Sequence, residues 1–135
     1  MTIALRGVCP LLQVFDMPTS IRFYRDILGF SIVDTSHDGD KFDWAWLRLD
    51  TADIMLNTAY EEQDRPPARE TARSAAHSDT CLYFGCPDVE GAYRHLLAKG
   101  LDVKEPTVAP YGMKQLYVSD PDGYLLCFQW RVAPH

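Results

Sequence analysis

The sequence predicts an α+β fold built from two tandem βαβββ modules, and three observations carry this prediction. An apolar strand, an aspartate, an amphipathic helix and a glycine follow one another twice along the 135 residues. A constant offset of 72 residues, the distance from Asp16 to Asp88, relates the two copies. Along the strands, alternating side chains separate an apolar face from a mixed face. We expect the two modules to form a single domain over residues 1–135.

Each predicted helix begins after an aspartate and ends at a glycine. Asp16 and Asp88 are favourable N-cap residues, and Gly29 and Gly100 suit the left-handed position that follows a helix. Between them, apolar residues recur at helical spacing: Ile21, Tyr24, Ile27 and Leu28 in the first copy, and Val89, Ala92, Tyr93 and Leu96 in the second.

Strands complete the modules, which span about residues 6–58 and 79–131. After each helix, three strands are predicted in the first module at Ser31–Thr35, Phe42–Leu49 and Ala52–Asn57, and in the second at Leu101–Lys104, Lys114–Ser119 and Leu125–Trp130. Residues 59–78 between the modules are polar and contain a Pro-Pro pair, which indicates a linker or a lid.

Composition and charge exclude several classes of protein. The net charge of −6 and the lack of a basic stripe argue against nucleic-acid binding. No apolar run is long enough to span a membrane, and the first ten residues do not resemble a secretory signal. The four cysteines form no CxxC pair, which favours free thiols in a reducing compartment. We therefore expect a cytoplasmic protein.

The mixed strand faces are typical of the lining of a cavity that binds a small molecule. The candidate binding residues on these faces are Gln13, Trp44, Trp46, Arg48, Met55, Asn57, Cys81, Tyr83, Cys127 and Gln129. Phe42, Trp44 and Trp46 recur at period two, so they form either part of the core or a wall that stacks on a planar or cationic ligand. Arg48 can either anchor an anionic group of that ligand or pair with Asp53.

Two segments resemble a known superfamily. The stretch VFDMPTSIRFYRDILGF resembles the first helix signature of the vicinal oxygen chelate superfamily, and YGMKQLYVSDPDGYLLCF resembles its closing hairpin. Glyoxalase I, extradiol dioxygenases and bleomycin resistance proteins belong to this superfamily. The resemblance implies two modules whose mixed sheets curl around a central cavity, usually within a homodimer. It also implies that Tyr111 and Met113 lie near the cavity rim.

The resemblance identifies four positions where metal-dependent members carry ligands, typically His or Glu, on the first and fourth strands of each module. This chain has sulfur at all four, in Cys9, Met55, Cys81 and Cys127. The lyase and dioxygenase chemistry of the superfamily uses nitrogen and oxygen ligands. We therefore expect neither the usual metal nor another cofactor, and interpret these residues as cavity wall. A soft-metal site formed by the same four residues is the alternative.

A nucleophilic cysteine would need a nearby base or positive charge. His37, His77, His95 and His135 do not fall on the strands predicted to face the cavity, and His77 is interpreted as a solvated linker residue. The resemblance thus implies a protein most like the bleomycin-resistance members, which sequesters a partly aromatic ligand. A metal-dependent lyase or dioxygenase with a displaced or sulfur-ligated site is the alternative. A fully packed cavity would instead leave a structural or accessory protein.

Overall fold

The computed structural model describes residues 2–132, so His135 lies outside the described part of the chain. The chain divides into two compact units between Arg65 and Pro66. Each unit contains one four-stranded mixed sheet. Within residues 2–132, no helix is long and apolar enough to cross a membrane.

The first unit has the predicted βαβββ order. Its elements are β1 (Leu11–Val14), α1 (Met17–Ile21, continued as a π-helix over Arg22–Leu28), β2 (Ser31–Thr35), β3 (Trp44–Leu49), β4 (Ala52–Thr58) and a 3₁₀ turn (Glu62–Asp64). Strand β1 pairs in parallel with β4, and β4, β3 and β2 pair antiparallel, so the sheet order is β1-β4-β3-β2.

The second unit repeats this topology. Its elements are α2 (Thr71–His77), β5 (Cys81–Gly85), α3 (Val89–Ala98), β6 (Thr107–Val108), β7 (Met113–Ser119) and β8 (Leu125–Arg131). The sheet order is β5-β8-β7-β6, where β5 pairs in parallel with β8. The α+β class and the two-module architecture predicted from the repeat are confirmed.

The helix ends follow the sequence signals, but the turns of the first helix do not. Asp16 and Asp88 cap α1 and α3 by accepting hydrogen bonds from the backbone N–H groups of Thr19 and Gly91. Gly29 ends the first helix with φ +101°. The π-helical turns contain more residues than the 3.6-residue spacing assumes. Phe23 is therefore buried, whereas the predicted core residue Ile27 is only half-buried.

The apolar face of each sheet forms the core, as the alternation predicts. In the first unit Ala45 and Leu47 on β3 and Ile54 and Leu56 on β4 are fully buried. In the second unit Leu126 occupies the same kind of position. Burial of each of these Leu and Ile side chains contributes about 1.5–3 kcal/mol.

The predicted strand Leu101–Lys104 is absent, and two predicted strands begin later than expected. Leu101–Lys104 forms no strand, and the short β6 begins only at Thr107, directly after Pro106, which lacks the N–H that a ladder requires. Strand β1 begins at Leu11, after Pro10, so Cys9 precedes the strand. Strand β3 begins at Trp44, which leaves Phe42 in the loop before it.

Residues 59–78, for which the sequence predicts a linker or a lid, include α2, and this helix packs on the turn between β7 and β8. A Cβ atom on Gly123, which has φ +88°, would lie 2.2 Å from the carbonyl oxygen of Ser74. His77 Nδ1 donates a 2.7 Å hydrogen bond to the carbonyl oxygen of Asp122, and its ring stacks 4.0 Å from that of Tyr124. His77 is therefore a packing residue and not a solvated linker residue.

Candidate functional site

The first sheet brings six predicted binding residues onto one face, which we call the first mixed face: Gln13, Trp44, Trp46, Arg48, Met55 and Asn57, together with Asp53. Trp46 lies opposite Met55, and Trp44 lies opposite Asn57. Asn57 Nδ2 donates a 3.3 Å hydrogen bond to Gln13 Oε1. Both indole rings are half-buried.

Arg48 pairs with Asp53 within this face. Its Nε lies 2.7 Å from Asp53 Oδ1, and its Cζ lies 5.1 Å from the centroid of the Trp46 ring. The hydrogen bond from Arg48 lowers the pKa of Asp53, and Asp53 in turn raises the pKa of Arg48. Of the two roles open to Arg48 in the sequence, the pairing with Asp53 is the one observed.

The indole N–H of Trp46 is buried. It has no hydrogen bond of ordinary geometry among the residues that the structure describes. It nonetheless lies close enough to Asp53 to add to the lowering of that pKa. A buried donor without a well-formed hydrogen bond is costly, so the position of this ring is set by its packing.

The second sheet has a corresponding face, which we call the second mixed face. The predicted residues on it are Cys81, Tyr83, Met113, Cys127 and Gln129, and Tyr111 in the preceding loop reaches it. Cys127 is fully buried, whereas Tyr83 is 54% exposed. This face therefore has the buried sulfur atom of Cys127 beside the solvent-accessible phenol of Tyr83.

Hydrogen bonds link the polar residues of the second mixed face. Gln115 Nε2 donates to Tyr111 Oη at 2.8 Å and to Gln129 Oε1 at 2.9 Å. Tyr117 Oη donates to Gln115 Oε1 at 3.2 Å and lies 3.4 Å from Tyr83 Oη. The network orders four strand and loop side chains around one amide.

Gln115 and Tyr117 are central to this network, yet the sequence reasoning did not select them. The alternation of side chains along β7 identifies them, because β7 begins at Met113 and side chains two residues apart on a strand share a face. Applying the alternation to β7 as to the other strands would have found both residues.

The sulfur positions do not fit the metal of the metal-dependent superfamily members. Burial raises the pKa of the Cys9, Cys81 and Cys127 thiols, whereas the thiolate is the form that binds metal. Within residues 2–132, no three His, Cys, Asp or Glu side chains are placed to hold a metal ion. Raised pKa values also make these thiols poor nucleophiles at neutral pH.

Comparison with known proteins identifies the family. The sequence model of the Glyoxalase/Bleomycin resistance protein/Dioxygenase superfamily matches residues 8–128 of this chain. The chain is similar to the virulence protein STM3117 of Salmonella typhimurium, with 29% identity over 120 residues, which cover 86% of this chain and 77% of the relative.

Solved structures show the same fold. The chain is similar to TnmS3, an antibiotic binding protein from Streptomyces sp. CB03234, with a TM-score of 0.69 and 22% identity over 97% of this chain and 100% of that one. It is also similar to a bleomycin resistance determinant encoded on the transposon Tn5, with a TM-score of 0.71 and 19% identity over 96% of this chain and 100% of that one. At these identities the likeness concerns the fold alone.

Proposed function

Because the chain belongs to the Glyoxalase/Bleomycin resistance protein/Dioxygenase superfamily, we propose that it is a small-molecule binding protein that holds a partly aromatic ligand without metal chemistry. The observation that carries this proposal is the pair of half-buried indole rings, Trp44 and Trp46, side by side on the first mixed face.

The rings are available to a ligand because the core uses the other face of the same strand. Ala45 and Leu47 alternate with Trp44 and Trp46, and both are fully buried. Large aromatic side chains that are not needed in the core offer wide, rigid surfaces on which a planar group stacks. Gln13 and Asn57, hydrogen-bonded to each other beside the rings, supply polar contacts.

The second mixed face offers further candidate contacts. Tyr83 and Tyr111 are exposed phenols, and Met113 and Gln129 lie on the strands beside them. Cys81 and Cys127 contribute apolar wall, since burial holds their thiols in the neutral form. We assign these residues to ligand contact and none to catalysis.

The class of ligand is supported by the proteins of the same fold. One is described as an antibiotic binding protein and another as a bleomycin resistance determinant. The alternative, a lyase or dioxygenase with a sulfur-ligated metal, gains no support from thiols whose pKa values are raised. Binding without chemistry therefore agrees best with both the fold and the side chains.

A fluorescence titration with the planar aromatic probe 8-anilinonaphthalene-1-sulfonate tests the proposal. We expect Trp46→Leu to weaken probe binding about tenfold, since stacking contributes roughly 1 kcal/mol or more. Trp130→Leu is the matched control, because Trp130 is 47% exposed but lies on the opposite face of its own sheet. Equal affinity of the parent protein and both variants would refute the assignment of the first mixed face.

Assembly and location complete the proposal: a homodimer, as the resemblance to the superfamily implies, located in the cytoplasm. All four cysteines that the structure describes are free thiols, a state that a reducing compartment maintains. Sedimentation equilibrium of the full chain measures the assembly state, and a monomer at micromolar concentration would refute the dimer.

A further inference from the structure

A cavity lies within the first unit, at the end of its sheet. Its volume is about 420 Å³. It lies between the segment that joins β1 to α1, the loop over residues 40–43 that precedes β3, and the segment over residues 60–65 that follows β4. None of the residues assigned to the first mixed face lines it. It is therefore a separate candidate site, which we call the end pocket.

Aromatic rings form the walls of the end pocket. Phe15, Phe42 and Tyr60 all line it. The rings of Phe15 and Tyr60 meet edge to face, with centroids 6.4 Å apart and planes at 76°. Because Phe15 follows β1 directly and Tyr60 follows β4, the parallel pairing of these strands brings the two rings together. A ring wall of this kind favours a flat or apolar body over a hydrated metal ion.

The charges around the end pocket are mainly negative. Lys41 and Arg65 are the two cations among the lining residues. The five carboxylates are Asp16, Asp40, Asp43, Glu61 and Glu62. An excess of carboxylates around aromatic rings attracts a cation and disfavours an anion.

The side chain of Arg65 is itself an organic cation that contacts an aromatic ring and a carboxylate of the end pocket. The guanidinium carbon of Arg65 lies 5.4 Å from the centroid of the Phe15 ring. Its Nη1 lies 2.7 Å from Asp16 Oδ1. A planar cation thus contacts a ring and a carboxylate at once. Of the other lining carboxylates, Asp43 accepts a hydrogen bond from Ser36, and Asp40, Glu61 and Glu62 are available to a second cation in the remaining volume.

We propose that the end pocket binds a small organic cation with a planar amidinium or guanidinium head and an apolar body. The body contacts Phe42 and Tyr60, and the head lies against the carboxylates of Glu61 and Glu62. A cation of this shape combines ring contact with charge-assisted hydrogen bonds, as Arg65 does on Phe15 and Asp16.

Benzamidine is the probe for this proposal, and benzamide is its neutral control of nearly the same shape. Titration calorimetry on the full chain at low salt is expected to show binding of benzamidine, with benzamide at least about tenfold weaker. Raised salt is expected to weaken benzamidine binding, because the attracting carboxylates are exposed. Equal affinities for the two compounds, or no binding of benzamidine at millimolar concentration, would overturn the proposal.

Matched substitutions locate the site. The double variant Glu61→Gln and Glu62→Gln is expected to weaken benzamidine binding about five- to tenfold. Asp64→Asn is the control, because Asp64 lies in the same exposed 3₁₀ turn but does not line the pocket. Phe42→Leu, in the loop before β3, is expected to weaken both compounds by removing ring contact. If Asp64→Asn has the same effect as the double variant, the attraction is a general surface charge and the proposal fails.

The same titrations separate this site from the first mixed face. Trp46→Leu is expected to leave benzamidine binding unchanged, and the Glu61 and Glu62 variant is expected to leave binding of the aromatic sulfonate unchanged. Loss of benzamidine binding in Trp46→Leu would place both probes on the sheet face and overturn the end pocket.

Discussion

The two units have the same topology, but within residues 2–132 a helix packs on the last hairpin of the second unit and not on that of the first. The repeat relates the turn at Asp50 and Thr51 to the turn at Asp122 and Gly123. In the first unit this turn is exposed, with Asp50 at φ +51°. In the second unit α2 covers it, and the carbonyl of Ser74 approaches so closely that only a glycine fits. Equivalent turns therefore differ according to what packs on them.

The two mixed faces differ as well. Indole rings and one ion pair dominate the first, whereas tyrosine hydroxyls and glutamine amides satisfy one another on the second. A polar group that already has partners gains little from a ligand, while an exposed ring face gains contact area. The comparison therefore favours the first mixed face as the main stacking surface.

The largest expected effect comes from Gly123→Ala, a substitution in the turn that α2 covers. The exposed turn at Asp50 and Thr51 provides the comparison. A side chain at φ +88° is strained, and its Cβ would overlap the Ser74 carbonyl. We expect a loss of about 3 kcal/mol in the free energy of unfolding, measured by urea denaturation. Thr51→Ala at the repeat-related position is the control, with an expected change within about 0.5 kcal/mol. Equal losses of unfolding free energy in the two variants would show that the packing of α2 does not make the second turn more sensitive to substitution.

The helix caps give a smaller difference. Asp16 accepts from Thr19 and from Arg65, whereas Asp88 accepts from Gly91. Burial alone would raise the pKa of Asp16, but the hydrogen bonds from Thr19 and Arg65 hold it below its ordinary value. We expect Asp16→Ala to cost about 1.5 kcal/mol and Asp88→Ala about 1 kcal/mol at neutral pH.

The pH dependence sharpens this comparison. Because the pKa of Asp16 is lowered by folding, its contribution is fully present above the unfolded pKa of about 3.9 and is lost as the pH falls through the lower folded value. Thermal unfolding of Asp16→Ala and the parent protein at a series of pH values measures this. A cost that stays constant down to the most acidic condition would contradict the role of the carboxylate.

The smallest expected effect concerns the second mixed face. The hydrogen bond to Tyr83, with burial and the nearby Cys127, raises the pKa of Tyr117. The stability linked to this phenol is present below the unfolded pKa of about 10 and is lost as the pH rises through the folded value. In an absorbance titration, Tyr117→Phe is expected to remove a late-ionising component, at a cost below about 1 kcal/mol. Tyr93→Phe, on α3, is the control. An unchanged titration curve would refute the network.

Some features of the structure could be predicted from the sequence, and others could not. The caps at Asp16 and Asp88 and the glycine after the first helix were predictable, because each signal acts within a few residues. The six predicted binding residues of the first mixed face could be placed on one face from the alternation of side chains along the strands. The π-helical turns over Arg22–Leu28 were not, since helical spacing in a sequence assumes 3.6 residues per turn.

The sequence by itself determined the two βαβββ modules and the apolar and mixed faces of their strands. Tertiary structure decided the packing of α2 on the β7–β8 turn and the pairing of Arg65 with Asp16 at the end pocket. His77 meets Asp122 across 45 residues, and Arg65 meets Asp16 across 49. Local preferences extend over a few residues and contain no information about such distant partners, which only the folded chain brings into contact.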